Sequence, residues 1–394
     1  MDKRIIAFYL PQYHPIPEND AWWGKGFTEW TNVAQAKPLF RGHYQPHIPA
    51  DLGFYDLRLC ETRSAQAQLA RECGIEGFCY WHYWFEGNRL LERPFNEVLT
   101  SGEPDFPFCL AWANESWSRR WLGEEKEVLQ EQTYSFEDDA NHIRWLMRAF
   151  ADRRYLRVNG RPLFLVYRPN ALPDPPRTTD LWRDECVRSG VAEPYLIGIN
   201  AHCPLLDCRT IGFDGTLNFE PQLGVLPEPM NDRPSIGKLK RNREFGVNSP
   251  KLKLYDYAKA RQWMIDHREW MMHEGICQDF PTVPSIFVGW DNTPRRRRNG
   301  VVVLNPTPER FEQGLAQLVN DTRAKSCAER LIFINAWNEW AEGNHLEPDL
   351  KYGHGHLDAA RRALSMPKLN NSAREIVSSG SRSAGAARER VPLI

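Results

Sequence analysis

The chain has 394 residues, and its 50 Lys and Arg balance 51 Asp and Glu, so no net charge draws it to nucleic acid or to an anionic membrane surface. No apolar run reaches the roughly 18 residues of a spanning helix, and Pro11, Gln12 and His14 interrupt the apolar opening before a secretion signal could form; a cytoplasmic location is the expectation. Nine cysteines without a CxxC pair fit a reducing compartment, and Cys60, Cys73, Cys79 and Cys109 read as small buried hydrophobes.

Short apolar runs bounded by Gly, Pro or charge alternate with longer stretches of helical pattern. In chain order the expected strands are Arg4–Leu10, Gly77–Tyr83, Pro107–Ala113, Pro162–Arg168, Pro194–Asn200, Gly215–Glu220, Val283–Asp291 and Leu331–Glu339. The helices expected between them are Asp56–Cys73, Pro94–Thr100, Phe136–Arg153, Thr178–Ser189, Pro204–Gly212, Tyr255–His273 and Pro308–Lys325. Thr307 followed by a proline marks the start of the last, because the missing proline N–H has no partner in a first turn anyway. Eight strands alternating with helices predict an α/β fold, a closed (β/α)₈ TIM barrel forming one domain over 1–366. An open doubly wound sheet is the rival, but no GxGxxG or GxxxxGK[ST] follows the first strand. Residues 367–394, rich in Ser, Gly, Ala and Arg, are expected to be a disordered tail.

Two long segments break the strand–helix rhythm, Pro11–Ala50 and Pro221–Leu254. Loops of that length in a compact domain are functional or disordered. Both follow strand carboxyl ends, where barrel active sites lie, so both are expected to fold over that mouth.

What the strand ends would deliver there is consistent: Tyr9 and Tyr13, then Trp81 and His82, then Trp112, Asn114 and Glu115, then Asn218 and Glu220, then Asp291, then Asn338 and Trp340. Aromatic faces with amide, carboxylate and imidazole groups match sugars, whose rings have apolar C–H faces and whose hydroxyls both donate and accept. A lone Asn at such a position more often caps a helix, and a lone His more often sits in a core. It is the convergence of the set that points to a glycan-binding cleft, in which at least two of Trp22, Trp81, Trp112 and Trp340 are expected to face the ligand.

Glu339 and Glu342 stand apart, in NEWAEG over residues 338–343. On a turn or helical start, residues three apart share a side, with Cβ atoms about 5 to 6 Å from each other. Two neighbouring carboxyls in a partly dry pocket cannot both ionise easily, so the pair divides into acid and base, as retaining glycosidic cleavage requires. The alternative is a solvated pair at a helix start.

The segment NAWNEWAEG, with VGWDNTPRR before it, resembles the endo-α-mannosidase and endo-mannanase family, glycoside hydrolase family 99, whose members carry a similar NEW-x-EG motif after the eighth strand. AFYLPQYHPIPENDAWWGKGFTEW, GFCYWHYWFEG and LAWANESW are similar to its WbsX branch, associated with bacterial surface-polysaccharide (O-antigen) loci and commonly labelled glycosyltransferases. The resemblance runs from about residue 3 to 365. It implies that Glu339 takes the proton of a sugar 2-hydroxyl, which attacks the anomeric carbon to give a 1,2-anhydro sugar. It implies further that Glu342 protonates the leaving oxygen and then activates the acceptor, and that Tyr9, Trp112, Asn114, Glu115, Asp291, Asn338 and Trp340 contact substrate. Ala341 departs from the mannosidases, which commonly have His there.

The resulting expectation is an enzyme that breaks or transfers an α-linked, manno-configured or related bond of an oligo- or polysaccharide, with no cofactor and no metal. Hydrolysis and transfer both stay open, as do a nucleotide-sugar and a lipid-linked donor. Arg295–Arg298 either holds a diphosphate or is a solvated basic loop. A non-catalytic glycan-binding barrel is the second reading. Metal-dependent hydrolysis is a weak third, because His354 and His356 have no carboxylate set at ligand spacing.

Overall fold

A computed structural model of the chain describes residues 4–119, 124–231, 251–276, 279–322 and 330–366. The expected tail and the middle of the second long segment lie outside the described residues. Eight parallel strands, β1 (Arg4–Tyr9), β2 (Gly77–Phe85), β3 (Phe108–Trp112), β4 (Arg161–Val166), β5 (Tyr195–Ile199), β6 (Gly215–Asn218), β7 (Thr282–Phe287) and β8 (Leu331–Asn335), pair in sequence order. The ring closes because β1 pairs with both β2, at Ile6 with Gly77, and β8, at Arg4 with Leu331. The strands are short Ile-, Phe- and Leu-rich runs buried on both faces, as a sheet covered by helices outside and packed side chains inside demands.

Helices on the outer ring are α3 (Cys60–Glu72), α4 (Arg93–Ser101), α5 (Phe136–Phe150), α6 (Pro175–Arg188), α7 (Tyr257–His273), α8 (Pro308–Thr322) and α9 (Gly355–Ser365), while α1 (Pro17–Trp23) and α2 (Glu29–Gln35) lie inside the first long segment. The helix expected over Pro204–Gly212 is only a 3₁₀ turn, Cys208–Ile211. The turn packs hard on β5: a Cβ on Gly198 would lie 2.5 Å from the Cys208 sulfur. Cys73, Cys79 and Cys109 are buried, whereas Cys60 is exposed at the first position of α3.

Strands seven and eight both stop short of the expected ends. After β7 the chain turns at Gly289, where a Cβ would stand 2.7 Å from the Gly343 carbonyl oxygen. Trp290–Asp291 then joins a separate small sheet with Val301–Leu304 and Lys253–Asp256. After β8, Asn338–Glu339 pairs antiparallel with Asn344–His345, a hairpin whose bend is the 3₁₀ turn Trp340–Glu342 closed by Gly343 at φ +57°. These two departures bring Trp290, Glu339 and Glu342 to one cavity.

Candidate active site

At the carboxyl end of the barrel a cavity of about 270 Å³ is lined by Trp81 and Tyr83 from β2, Glu115 and Trp117 beyond β3, Tyr167 beyond β4, Phe219 beyond β6, and Trp290. Gln12 and Trp23 of the first long segment, Arg295, Glu339 and Glu342 complete the wall. The volume is near the lower end of small-molecule sites, roughly 300 Å³. The Trp290 indole N–H is buried beside this space with no hydrogen-bond partner among the described residues, so a donor is available to a ligand hydroxyl.

Eclipsed i,i+3 side chains are what a 3₁₀ turn provides, and Glu339 and Glu342 meet one cation. Arg295 Nη2 lies 3.1 Å from Glu339 Oε2, and Arg295 Nη1 lies 2.7 Å from Glu342 Oε1. Its Nε donates at 2.8 Å to Oε1 of Glu29, a carboxylate with no exposed surface at the first position of α2. Burial pushes both Glu339 and Glu342 upward from the ordinary carboxyl range, Arg295 opposes that push, and the charge on Glu29 adds to it; Glu342 raises Glu339 further. Three carboxylates around one guanidinium crowd negative charge in a dry pocket, which favours the protonated forms of Glu339 and Glu342.

The hairpin that carries the pair is pinned to the end of the first strand. Leu10 N donates to Asn338 Oδ1 at 2.7 Å and Asn338 Nδ2 donates to Leu10 O at 3.0 Å, while the Tyr13 hydroxyl donates to the Asn338 carbonyl. Behind it Trp340 stacks on His345 with centroids 3.7 Å apart and donates its indole N–H to Glu347 at 2.6 Å. Gln66 and Tyr55 also donate to Glu347, and the Tyr9 hydroxyl donates to Gln66.

Of the strand-end residues singled out from sequence, the structure brings Trp81, Glu115, Glu339 and Glu342 together at the cavity. Tyr9, Tyr13, Asn338 and Trp340 are buried in the network beneath the hairpin. His82 and Trp112 turn outward, His82 against His142 and Trp145 of α5, and Trp112 against His142 and Trp182. Asn114 is buried and ties the ends of β3 and β4, donating to the Arg168 carbonyl and accepting from the Arg168 N–H. Asn218 joins Asn200 and Gln222, and Glu220 is buried against Arg261 Nε at 3.1 Å. Asp291 accepts from Thr293 and Gln45, with His43 Nε2 at 2.6 Å; burial would raise its carboxyl, but these bonds hold it below its ordinary value. The expectation of two pocket-facing rings among Trp22, Trp81, Trp112 and Trp340 is corrected: only Trp81 of the four lines this cavity, and Trp23, Trp117 and Trp290 supply the other indoles.

Sequence reasoning passed over Glu29 and left Arg295 among four arginines weighed as a phosphate clamp or a solvated loop. Arg295 turns inward onto three carboxylates, whereas Arg297 and Arg298 are exposed. His354 and His356 do not converge: one faces Asp51 and the other the Pro306 carbonyl. Among the described residues, His47, His345 and Asp349 could gather a metal ion, their candidate ligand atoms lying within 4.8 Å of one another. Around them His47 Nδ1 lies 2.9 Å from His345 Nε2, and the Asp349 oxygens accept from the Tyr44 hydroxyl and two backbone N–H groups.

The family model "Glycosyltransferase WbsX" matches residues 5–360. The chain belongs to the WbsX family. Two curated relatives named "Uncharacterized protein WxcX", from strains of Xanthomonas campestris pv. campestris, are 44% and 43% identical over 92% of this WbsX chain. The chain spans about half the length of these relatives, 49% of each. Among solved structures, the GH99 endo-alpha-mannosidase from Bacteroides thetaiotaomicron superposes with a TM-score of 0.51 at 15% identity, covering 98% of this chain and 99% of that one. A "Glycoside hydrolase-like protein" gives 0.55 at 15% identity, covering 93% and 95%. At such identity the likeness is one of fold, and the WbsX barrel superposes on the barrels of these proteins.

Proposed function

We propose that this barrel cleaves or transfers an α-linked, manno-configured or related glycosidic bond in bacterial surface-polysaccharide metabolism, with retention at the anomeric carbon. The observation that carries the reading is the pair of carboxyls, Glu339 buried and Glu342 partly buried, held by one guanidinium at the wall of an aromatic-lined cavity at the barrel mouth. Indole and phenol faces suit the C–H face of a sugar ring, and the Trp290 N–H suits a hydroxyl.

In the proposed course Glu339 removes the proton of the sugar 2-hydroxyl as its oxygen attacks the anomeric carbon, and Glu342 gives its proton to the departing oxygen. An acceptor hydroxyl, from water or another sugar, then opens the 1,2-anhydro ring; Glu342 takes the acceptor's proton and Glu339 returns one to the 2-oxygen. Two inversions leave net retention with no covalent bond to the enzyme. Glu342 is the more open of the two, its side chain 21% exposed against 10% for Glu339, which suits the group that meets the acceptor. In the sugar-free site the charge on Glu342 adds to burial in raising the proton affinity of Glu339, and the proposed course requires Glu339 ionised and Glu342 protonated once the sugar is bound.

Glu339→Gln and Glu342→Gln test the reading. Each is expected to retain the fold and to lose about a hundredfold to ten-thousandfold in product formation, the range for general acid–base help. Near-wild-type rates in either variant would remove that carboxyl from the mechanism, and tight glycan binding without turnover by the wild type would make this a binding barrel.

A further inference from the structure

The proposed chemistry uses two carboxyls, yet the structure buries a third with them. Glu29 lies 266 residues before Arg295 in sequence and shares its Oε1 between Arg295 Nε at 2.8 Å and Asn32 Nδ2 at 3.1 Å. Its Oε2 is buried with no hydrogen-bond partner among the described residues. A buried carboxylate placed beside a catalytic pair raises the cost of every nearby negative charge, so it needs a reason beyond packing.

The guanidinium supplies one. Its five N–H groups lie in a rigid plane, so fixing one edge fixes the direction of the others. Glu29 takes the Nε edge and leaves Nη1 and Nη2 for Glu342 and Glu339. The one-turn helix Thr293–Arg296, which carries the arginine, is held in turn by Asp291, whose Oδ1 accepts from both the N–H and the hydroxyl of Thr293.

We infer that Arg295, oriented by Glu29, is the positioning residue of this site: it sets where the two reacting carboxyls stand and how they share their proton. This rests on the proposed roles of Glu339 and Glu342. A lysine could keep the charge but not the fork, and a methionine keeps neither, so the two substitutions separate place from charge. Arg295 lowers the proton affinity of both carboxyls and Glu29 raises it, so removing the one or the other should move the pair in opposite directions.

The test is a pH titration of the carboxyl stretch by infrared difference spectroscopy on the full chain, with Glu339→Gln and Glu342→Gln assigning the bands, alongside kcat and KM on any sugar turned over. Arg295→Met is expected to shift the titration of the pair to higher pH, and Glu29→Gln to shift it to lower pH. Arg295→Lys is expected to titrate near the wild type while kcat falls roughly a hundredfold, the cost of a misplaced group, with KM little changed. If Arg295→Met fails to fold, the Lys and Glu29→Gln variants still decide. Titrations that do not move in Arg295→Met and Glu29→Gln, or that move the same way in both, or an Arg295→Lys variant with wild-type kcat, would overturn the inference. The spectroscopic arm needs no substrate, so a protein that turns over no sugar but shows these shifts counts against the proposed function and leaves standing the control that Arg295 and Glu29 exert on the pair's proton.

Discussion

Glu347 shows how much of this site is decided by single buried groups. Three donors, from Gln66, Trp340 and Tyr55, favour its charged form, yet burial wins and lifts the carboxyl from 4.5 to about 7. Below pH 4.5 folded and unfolded chains both hold the proton. Between 4.5 and about 7 the unfolded chain has released it while the folded chain keeps it, so this group's contribution to stability falls as pH rises, then levels off. Glu347→Gln removes that slope. Urea unfolding of both proteins at pH 5 and pH 8 is therefore expected to show the wild type losing ground to the variant at the higher pH, and equal differences at the two values would contradict it. At this scale the sequence was readable where residues are neighbours, as Glu339 and Glu342 are. It was unreadable where Glu29 and Arg295 meet across the fold, because one inward arginine in a run of four carries no local mark.

Side chains near a strand end alternate between the mouth and the helical shell, and a slip of one residue exchanges the two. The strand-end candidates divide along that line: Leu10 lines the cavity while Tyr9 turns to Gln66 of α3, Trp81 lines it while His82 turns to α5, and Ala113 lines it while Trp112 packs outside. The aromatic signal was legible, but its phase was not. The hairpin after β8 carries the proposed reacting pair. Gly343 has φ +57°, and an added Cβ would lie 3.0 Å from the Asp291 Cβ. Gly343→Ala is expected to cost about 1 to 3 kcal/mol in a denaturation experiment and to lower activity by displacing Glu342. Unchanged stability and rate would show that the turn has room the structure does not display.

For the molecule as a whole, eight apolar runs at regular spacing were enough to foresee the closed parallel barrel, since each run is long enough for one strand and the intervals hold helical patterns. The first long segment was foreseen at the mouth, but not its two helices, whose short lengths leave little periodicity to read; there Glu29 of α2 reaches the site through tertiary contacts alone. The proposed activity draws on the barrel, the hairpin and the clustered carboxyls together. Its most direct test is mass spectrometry of incubations with α-manno-oligosaccharides and with nucleotide sugars, run beside the matching 2-deoxy donors. The mechanism predicts a new hydrolysed or extended product from a donor bearing the 2-hydroxyl and none from its 2-deoxy analogue, because the sugar's own oxygen makes the attack. Rapid turnover of the 2-deoxy donor would contradict it and require a different nucleophile in the same cavity.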